Sequence, residues 1–224
     1  MANANRINGF NPVGYLGGAA YTGAARMYAI PTADTICSYA IGDVVTSYAS
    51  GGCDTLGNRY VQKVLVAAAS NFVALGVIVG ISPVDAGASL VGSAIDLAAP
   101  YILAGTRTAV RYVYVADDPN LIFEISGGTT ATNLTAAKAS LNAGIASNTG
   151  SDVTLANSQA LTPSSPYSNS CISSATINTT NTLPVQLLGF SQKPDNAVGA
   201  YMRFLCRFNT HEMMLSTGTG RTAA

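Results

Sequence analysis

The chain has 224 residues, 48% of them hydrophobic, so it is long enough to bury a sizeable core. Charged residues make up only 10%, and Lys+Arg and Asp+Glu both count 11, leaving no net charge. Nucleic-acid binding is excluded as an expectation, because a phosphate backbone is held by concentrated basic residues and none are concentrated here. Low charge with abundant Gly, Ala, Ser, Thr and Asn suits a surface largely covered by partners or other copies.

Residues 1–28 read as an extended N-terminal arm. Gly9, Gly14, Gly17, Gly18 and Gly23 loosen the backbone, while Phe10, Tyr15, Leu16, Tyr21 and Tyr28 supply recurring apolar anchors. These five are the candidate contacts with a partner surface or another copy. No basic region followed by an apolar run marks a secretory signal.

From Ala29 the chain becomes strand-like. Ile41–Thr46 starts a β segment, Ser50–Asp54 is a loop, and Arg59–Val66 resumes the sheet. Val64–Ile81 is apolar except at Ser70–Asn71, where a turn belongs, and β-branched residues broken by Gly76 and Gly80 make a core strand pair rather than a membrane span. Ser82–Pro83 and Asp85–Gly87 are turn signals, and Pro100–Leu103 is a strand leading into Gly105.

Val110–Ile125 is the clearest segment. Arg111–Val115 is β-branched and aromatic, Asp117-Asp118-Pro119-Asn120 is a turn, and Leu121–Ile125 returns. The expectation is a core hairpin with Ala116 opposite Leu121, Tyr114 opposite Phe123 and Tyr112 opposite Ile125, three aromatics on one dry face and Arg111 diagonal to Glu124 on the other.

Gly127–Thr182 is rich in Thr, Ser, Asn, Ala and Gly and reads as an insertion forming a surface subdomain, with one short helix over Thr135–Leu141. Leu183–Phe190 is a strand, Lys193-Pro194-Asp195-Asn196 a second turn, and Tyr201–Phe208 a half-buried strand with Phe204, Cys206 and Phe208 inward and Arg203 and Arg207 outward. Residues 216–224 are a Gly/Thr tail. The domain plan is therefore an arm (1–28), a β core (29–126 and 183–215), an insertion (127–182) and a tail. The fold class is mainly β: an antiparallel barrel or sandwich with at most one or two short helices.

Catalytic signals are missing. His211 is the sole histidine, and at a strand end it reads as a hydrogen-bonding tie. Asp117 and Asp118 are adjacent, so strand alternation points them apart and they serve the turn. Gly80-Ile81-Ser82-Pro83-Val84 lacks the second glycine of a nucleophile elbow, and Gly218–Thr222 lacks phosphate-loop spacing. Cys37, Cys53, Cys171 and Cys206 form no C-x-x-C pair; buried thiols or two disulfides both remain open. No enzyme activity, cofactor or metal is expected.

Arg111–Pro119 with Phe123-Glu124-Ile125 resembles a segment of the structural proteins that decorate or cement the heads of tailed bacteriophages. Leu183–Phe190 followed by Lys193-Pro194-Asp195-Asn196 is similar to a second shared segment, and Gly199, Arg207, Asn209 and His211 fit its continuation. The resemblance implies a β protein on the capsid exterior whose partners are the major capsid protein and further copies of itself, with no nucleic acid and no membrane. A tail or fibre component, or a carbohydrate-binding adhesin using the 127–182 insertion, is the alternative.

Overall fold

The computed structural model describes residues 3, 8–64, 72–85, 101–128, 134–147 and 168–214. In chain order its strands are β1 (Asn11–Tyr15), β2 (Arg26–Ile30), β3 (Tyr39–Ala40), β4 (Val44–Ser47), β5 (Val61–Lys63), β6 (Gly76–Asp85) and β7 (Tyr101–Ile102). There follow β8 (Arg111–Ala116), β9 (Leu121–Ser126), β10 (Asn142–Ala143), β11 (Ile145–Ser147), β12 (Ser170–Ile172), β13 (Val185–Phe190) and β14 (Arg203–Phe208). One five-stranded sheet has the order β1-β9-β14-β13-β10 and the other β2-β8-β6-β4-β5, with β3-β7 and β11-β12 as small ribbons. The strand pairs are antiparallel, and the architecture is a sandwich.

The first core lies between the two large sheets. Phe123 and Phe208 of the first sheet meet Phe10 and Phe72, with Phe10 edge-on to Phe123 at 5.9 Å and 87°. A second core fills the concave side of the second sheet, where Tyr28, Ile30, Val45, Val61, Ile78, Val113 and Val115 converge and Tyr39 and Ile102 of the β3-β7 ribbon cover them. That sheet curls until its two outer strands approach. The Ala29 amide donates to the Arg59 carbonyl at 3.0 Å across a single parallel bridge, Ala29 to Tyr60.

The segment at Val110–Ile125 forms two strands and a turn, but not a hairpin. β8 pairs with β2 and β6, whereas β9 pairs with β1 and β14, so the expected Tyr114–Phe123 and Tyr112–Ile125 contacts are not made. The chain crosses from one sheet to the other at Asp117–Asn120. Each strand has its own apolar row (Val113 and Val115; Leu121, Phe123 and Ile125), and the rows belong to different cores. The buried face of β8 is thus valine, and Tyr114 is 42% exposed. Arg111 and Glu124 lie in different sheets and are not neighbours.

The strands and turn expected over 183–208 do form, and they make a hairpin. β13 pairs with β14, and the burial of β14 alternates as expected, Phe204, Cys206 and Phe208 inward. A register shift between Leu187 and Gly189 marks a bulge in β13.

β5 and β6 are not a pair, because β4 runs between them. Ser70 and Asn71 lie outside the described residues. β6 continues through Ser82–Pro83, where a turn was expected, and the register shift between Ile81 and Asp85 accommodates the proline. Gly76 does mark close packing: a Cβ there would sit 2.3 Å from the Ala116 carbonyl oxygen.

The described parts of 127–182 are woven into the fold. β10 extends the first sheet by pairing with β13, β12 lies beside Gly127, and Leu134, Ala143, Ile145, Ile172 and Ile177 enter the first core. These stretches therefore belong to the core rather than to a separate surface subdomain. The helix expected over Thr135–Leu141 is a single 3-10 turn, Ala136–Lys138, and Ala137 faces solvent. Two more such turns occupy Ser174–Thr176 and Glu212–Met214. The tail, 216–224, lies outside the described residues.

Each outer strand of the two large sheets has a local backbone partner. The return of the chain after β1 supplies the Tyr21 amide to the Val13 carbonyl at 3.2 Å, and Asn178 exchanges backbone hydrogen bonds with Asn142 beside β10. β2 and the start of β5 cover each other through the Ala29–Tyr60 bridge.

Candidate interaction surface and internal ties

The five arm residues divide. Phe10 is 2% exposed and packs inside the first core, its amide donating to Gly42 at 3.0 Å. Tyr28 is buried in the second core and its hydroxyl donates to Asp117 Oδ2 at 2.6 Å. Neither is available to a partner, which corrects their reading as docking anchors: each serves the packing of its own chain. Tyr15 and Tyr21 form a tilted ring pair at 6.4 Å and rest half-buried on the core edge. Leu16, at the tip of the turn between them, is exposed.

The turn residues do what their chemistry suggests. Asp118 Oδ1 accepts the Asn120 amide at 2.8 Å ahead of the corner at Pro119, while Asp117 is buried and takes Tyr28 and Arg26. Pro194 and Asp195 form the second turn, and Asp195 pairs with Arg203. Asn196 stitches the hairpin base, donating to the Ser191 and Arg203 carbonyls, both at 2.9 Å, and accepting the Arg203 amide at 2.8 Å. Gly199 adopts φ +138°, a region closed to most side chains. His211 is buried, and its Nδ1 accepts the Met213 amide at 3.2 Å. It ties the 3-10 turn.

The buried polar ties were not visible in the sequence. Lys63 Nζ meets Asp43 Oδ2 at 2.8 Å with both side chains out of solvent, 2% and 0% exposed. Asp43 also accepts the Ala40 amide and, from the far side, the Ser168 hydroxyl at 2.6 Å. Tyr39 donates to Asp34 beneath the β3-β7 ribbon. Glu124 accepts Ser191 at 2.5 Å and Lys193 at 2.8 Å. Glu212 joins the two sheets: following β14, it takes the Thr46 hydroxyl at 2.8 Å, the Ser47 amide at 2.7 Å, the Ser47 hydroxyl and the Arg59 guanidinium.

No family model, curated protein or solved structure matches this chain.

Clefts open on the described fold, two of them among described residues. One, of about 510 Å³, lies beside β4 and β5 against Asp34, Cys37, Lys63 and Phe72; the other, of about 400 Å³, lies between residues 8–11 and Glu124, Lys193 and Arg203. Their ionised groups face partners already: Lys63 faces Asp43, and Glu124 faces Lys193. Burial, reinforced by the Asp34 charge, pushes the Cys37 thiol up to about 12, so it stays protonated at neutral pH, the wrong state for a nucleophile. All four cysteines are free, and Cys53 alone is exposed. Among the described residues no three His, Cys, Asp or Glu side chains converge on a metal-sized site, and no helix is long and apolar enough to cross a membrane.

The internal ties predict a stepped response to acid. Burial lowers the His211 pKa from its ordinary 6.5, against the opposing charges of Asp117, Glu212 and Asp118. The native state holds it neutral, so below pH 6.5 the unfolded chain takes up the proton first and stability declines. Burial alone would raise the Glu212 carboxyl, but the Ser47 amide, the Ser47 and Thr46 hydroxyls and Arg59 more than offset this and hold it below its ordinary 4.5. Its contribution is complete above that value and is lost as pH falls through the lower folded one. Urea midpoints measured from about pH 7 to pH 3 should fall in two stages. Glu212→Gln should flatten the lower stage and spare the upper one; an unchanged lower stage would remove Glu212 as the joint.

Proposed function

We propose that this chain is a structural virion protein that binds the outside of a tailed-phage capsid and cements neighbouring capsid subunits against internal DNA pressure. One observation carries the reading: the charged side chains of the fold are largely engaged internally. Lys63 is held by Asp43, Arg26 by Asp117, Arg59 by Glu212 and Lys193 by Glu124, while Arg207 serves Gln186 and Lys138 a backbone carbonyl. Apolar side chains are left facing outward, among them Ile36, Leu56, Leu103, Val198 and Met214. A surface of that kind gains more from broad contact with protein than from polyanions or solvated substrates. The resemblance at Arg111–Pro119 and Leu183–Asn196 points the same way, and its implied partners are the major capsid protein and further copies of this chain.

Cementing needs many modest contacts per particle, and summed over a shell they give avidity without one tight site. The test is co-sedimentation of the purified chain with expanded, undecorated heads of the phage that encodes it. The chain should pellet with the heads and stay bound as salt rises from about 50 to 200 mM, a change that weakens phosphate-driven binding by roughly 10³–10⁵. Heads that pellet without it would end the proposal.

A further inference from the structure

The sequence holds a single Asn-Gly step, Asn8-Gly9. Such a step is chemically labile. The main-chain nitrogen after an asparagine can attack the asparagine side-chain carbonyl carbon, and before glycine no Cβ shields that nitrogen. A folded chain suppresses the attack by holding one or both reacting groups in hydrogen bonds to other partners.

At Asn8 neither group is held. The side chain is exposed, on the wall of the cleft that faces Glu124, Lys193 and Arg203. Among the described residues it has no hydrogen-bond partner, and neither has the Gly9 amide; the backbone bond here is made one residue later, by Phe10. Asn196 is the contrast. Its side chain is fixed by the Ser191 carbonyl and by both backbone groups of Arg203, and the Ala197 amide that would attack it donates to Asn3 Oδ1 at 2.7 Å. Asn58 is likewise tied, donating to Asp54 Oδ2 at 3.0 Å.

The step also lies at a crowded crossing of two backbones. A Cβ on Gly42 would stand 2.2 Å from the Asn8 carbonyl oxygen, and one on Gly9 would stand 2.4 Å from the Gly42 carbonyl oxygen. Directly after the crossing the Phe10 amide donates to that same Gly42 oxygen at 3.0 Å, and the Phe10 ring enters the first core. Packing this close leaves no room for a longer main chain between Asn8 and Phe10.

We propose that Asn8 is a spontaneous modification site, where closure on Gly9 followed by hydrolysis turns the asparagine into aspartate and isoaspartate and loosens the seat of Phe10. The Gly9 nitrogen bonds to Asn8 Cγ and gives up its proton, the side-chain nitrogen leaves as ammonia, and a succinimide remains. Water then opens the ring. Opening at the side-chain carbonyl restores the main chain and leaves aspartate. Opening at the main-chain carbonyl routes the chain through Cβ and Cγ as isoaspartate, one carbon longer at the Gly9–Gly42 crossing. The chemistry needs water alone and does not depend on the capsid reading.

The test incubates the full chain in mildly alkaline buffer, folded and in urea, beside folded Asn8→Gln, and maps the peptides for aspartate and isoaspartate. In the folded chain Asn8 should convert while Asn58 and Asn196 stay intact, and the isoaspartate fraction should unfold at a lower urea midpoint. Asn8→Gln, whose longer side chain closes the ring far more slowly, should keep its midpoint through the same incubation. Asn8→Asp carries the new charge without the extra carbon and should unfold as the fresh wild-type chain does. A folded chain that stays unconverted while the urea-unfolded chain converts at Asn8 would overturn the proposal, as would Asn196 converting as fast as Asn8. An unchanged midpoint in the isoaspartate fraction, or an equal loss in Asn8→Asp, would overturn the lengthened backbone as the cause of loosening.

Discussion

Phe10→Ala should lower folding stability by about 3–5 kcal/mol, the usual cost of emptying a buried phenylalanine site. Phe10 contacts Phe123 of β9 and, at 5.2 Å, Phe208 of β14, so the cavity would open between the two central strands of the first sheet. A melting temperature lower by on the order of 10 °C would follow for a chain of this size. Tyr15→Ala, on a half-buried ring at the core edge, should cost clearly less. Deletion of residues 2–25 removes β1 and Phe10 together, and a folded product of that deletion is not expected. A Phe10→Ala loss below about 1 kcal/mol would show that the N-terminal segment lies outside the core.

The second large effect is at Lys63. Lys63→Met leaves the Asp43 carboxylate buried without its cation, and removing one member of a buried pair typically costs about 3–5 kcal/mol. Asp43→Leu should cost a similar amount by stranding the ammonium, and it also deprives Ala40 and Ser168 of their acceptor. The double substitution should be less damaging than the sum of the single ones, because two apolar groups of similar size replace the pair. Urea unfolding of the four proteins gives the coupling directly. Additive losses would mean that Lys63 and Asp43 act separately.

Two strand-turn-strand segments show where sequence is legible. Leu183–Phe208 reads correctly because its signals are local: an alternating strand, a Pro-Asp-Asn turn and a pairing between neighbours in sequence. Val110–Ile125 carries the same signals and still crosses between sheets. Asp117-Asp118-Pro119-Asn120 specifies a change of direction, not which strands receive the two ends. That choice is made by β2, β6, β1 and β14, all distant in the chain.

The N-terminal segment misleads for a different reason. Its glycines suggest looseness, yet Gly9 lies so close to Gly42 that a Cβ would stand 2.4 Å from the Gly42 carbonyl oxygen and 2.6 Å from Ser168 Cβ. Glycine there permits contact rather than motion, and Phe10 enters the core directly after it. Composition alone cannot separate those two uses. The Lys63–Asp43 pair and the Glu212 joint are not legible in the sequence, because nothing local to each residue specifies which distant segment it will meet. Tyr112 and Tyr114 are legible as strand residues, but facing them inward in a hairpin hides that Tyr114 is 42% exposed beside Met27.

The covered borders of the sheets constrain how copies of this chain behave when crowded. An open border would let one molecule's backbone zip onto the next, and many copies held side by side would then be at risk of growing into fibres. Here the N-terminal return, the Asn142–Asn178 exchange and the Ala29–Tyr60 bridge engage part of each outer strand. Copies that met along those stretches would recognise one another by shape and side chain rather than by pairing backbones.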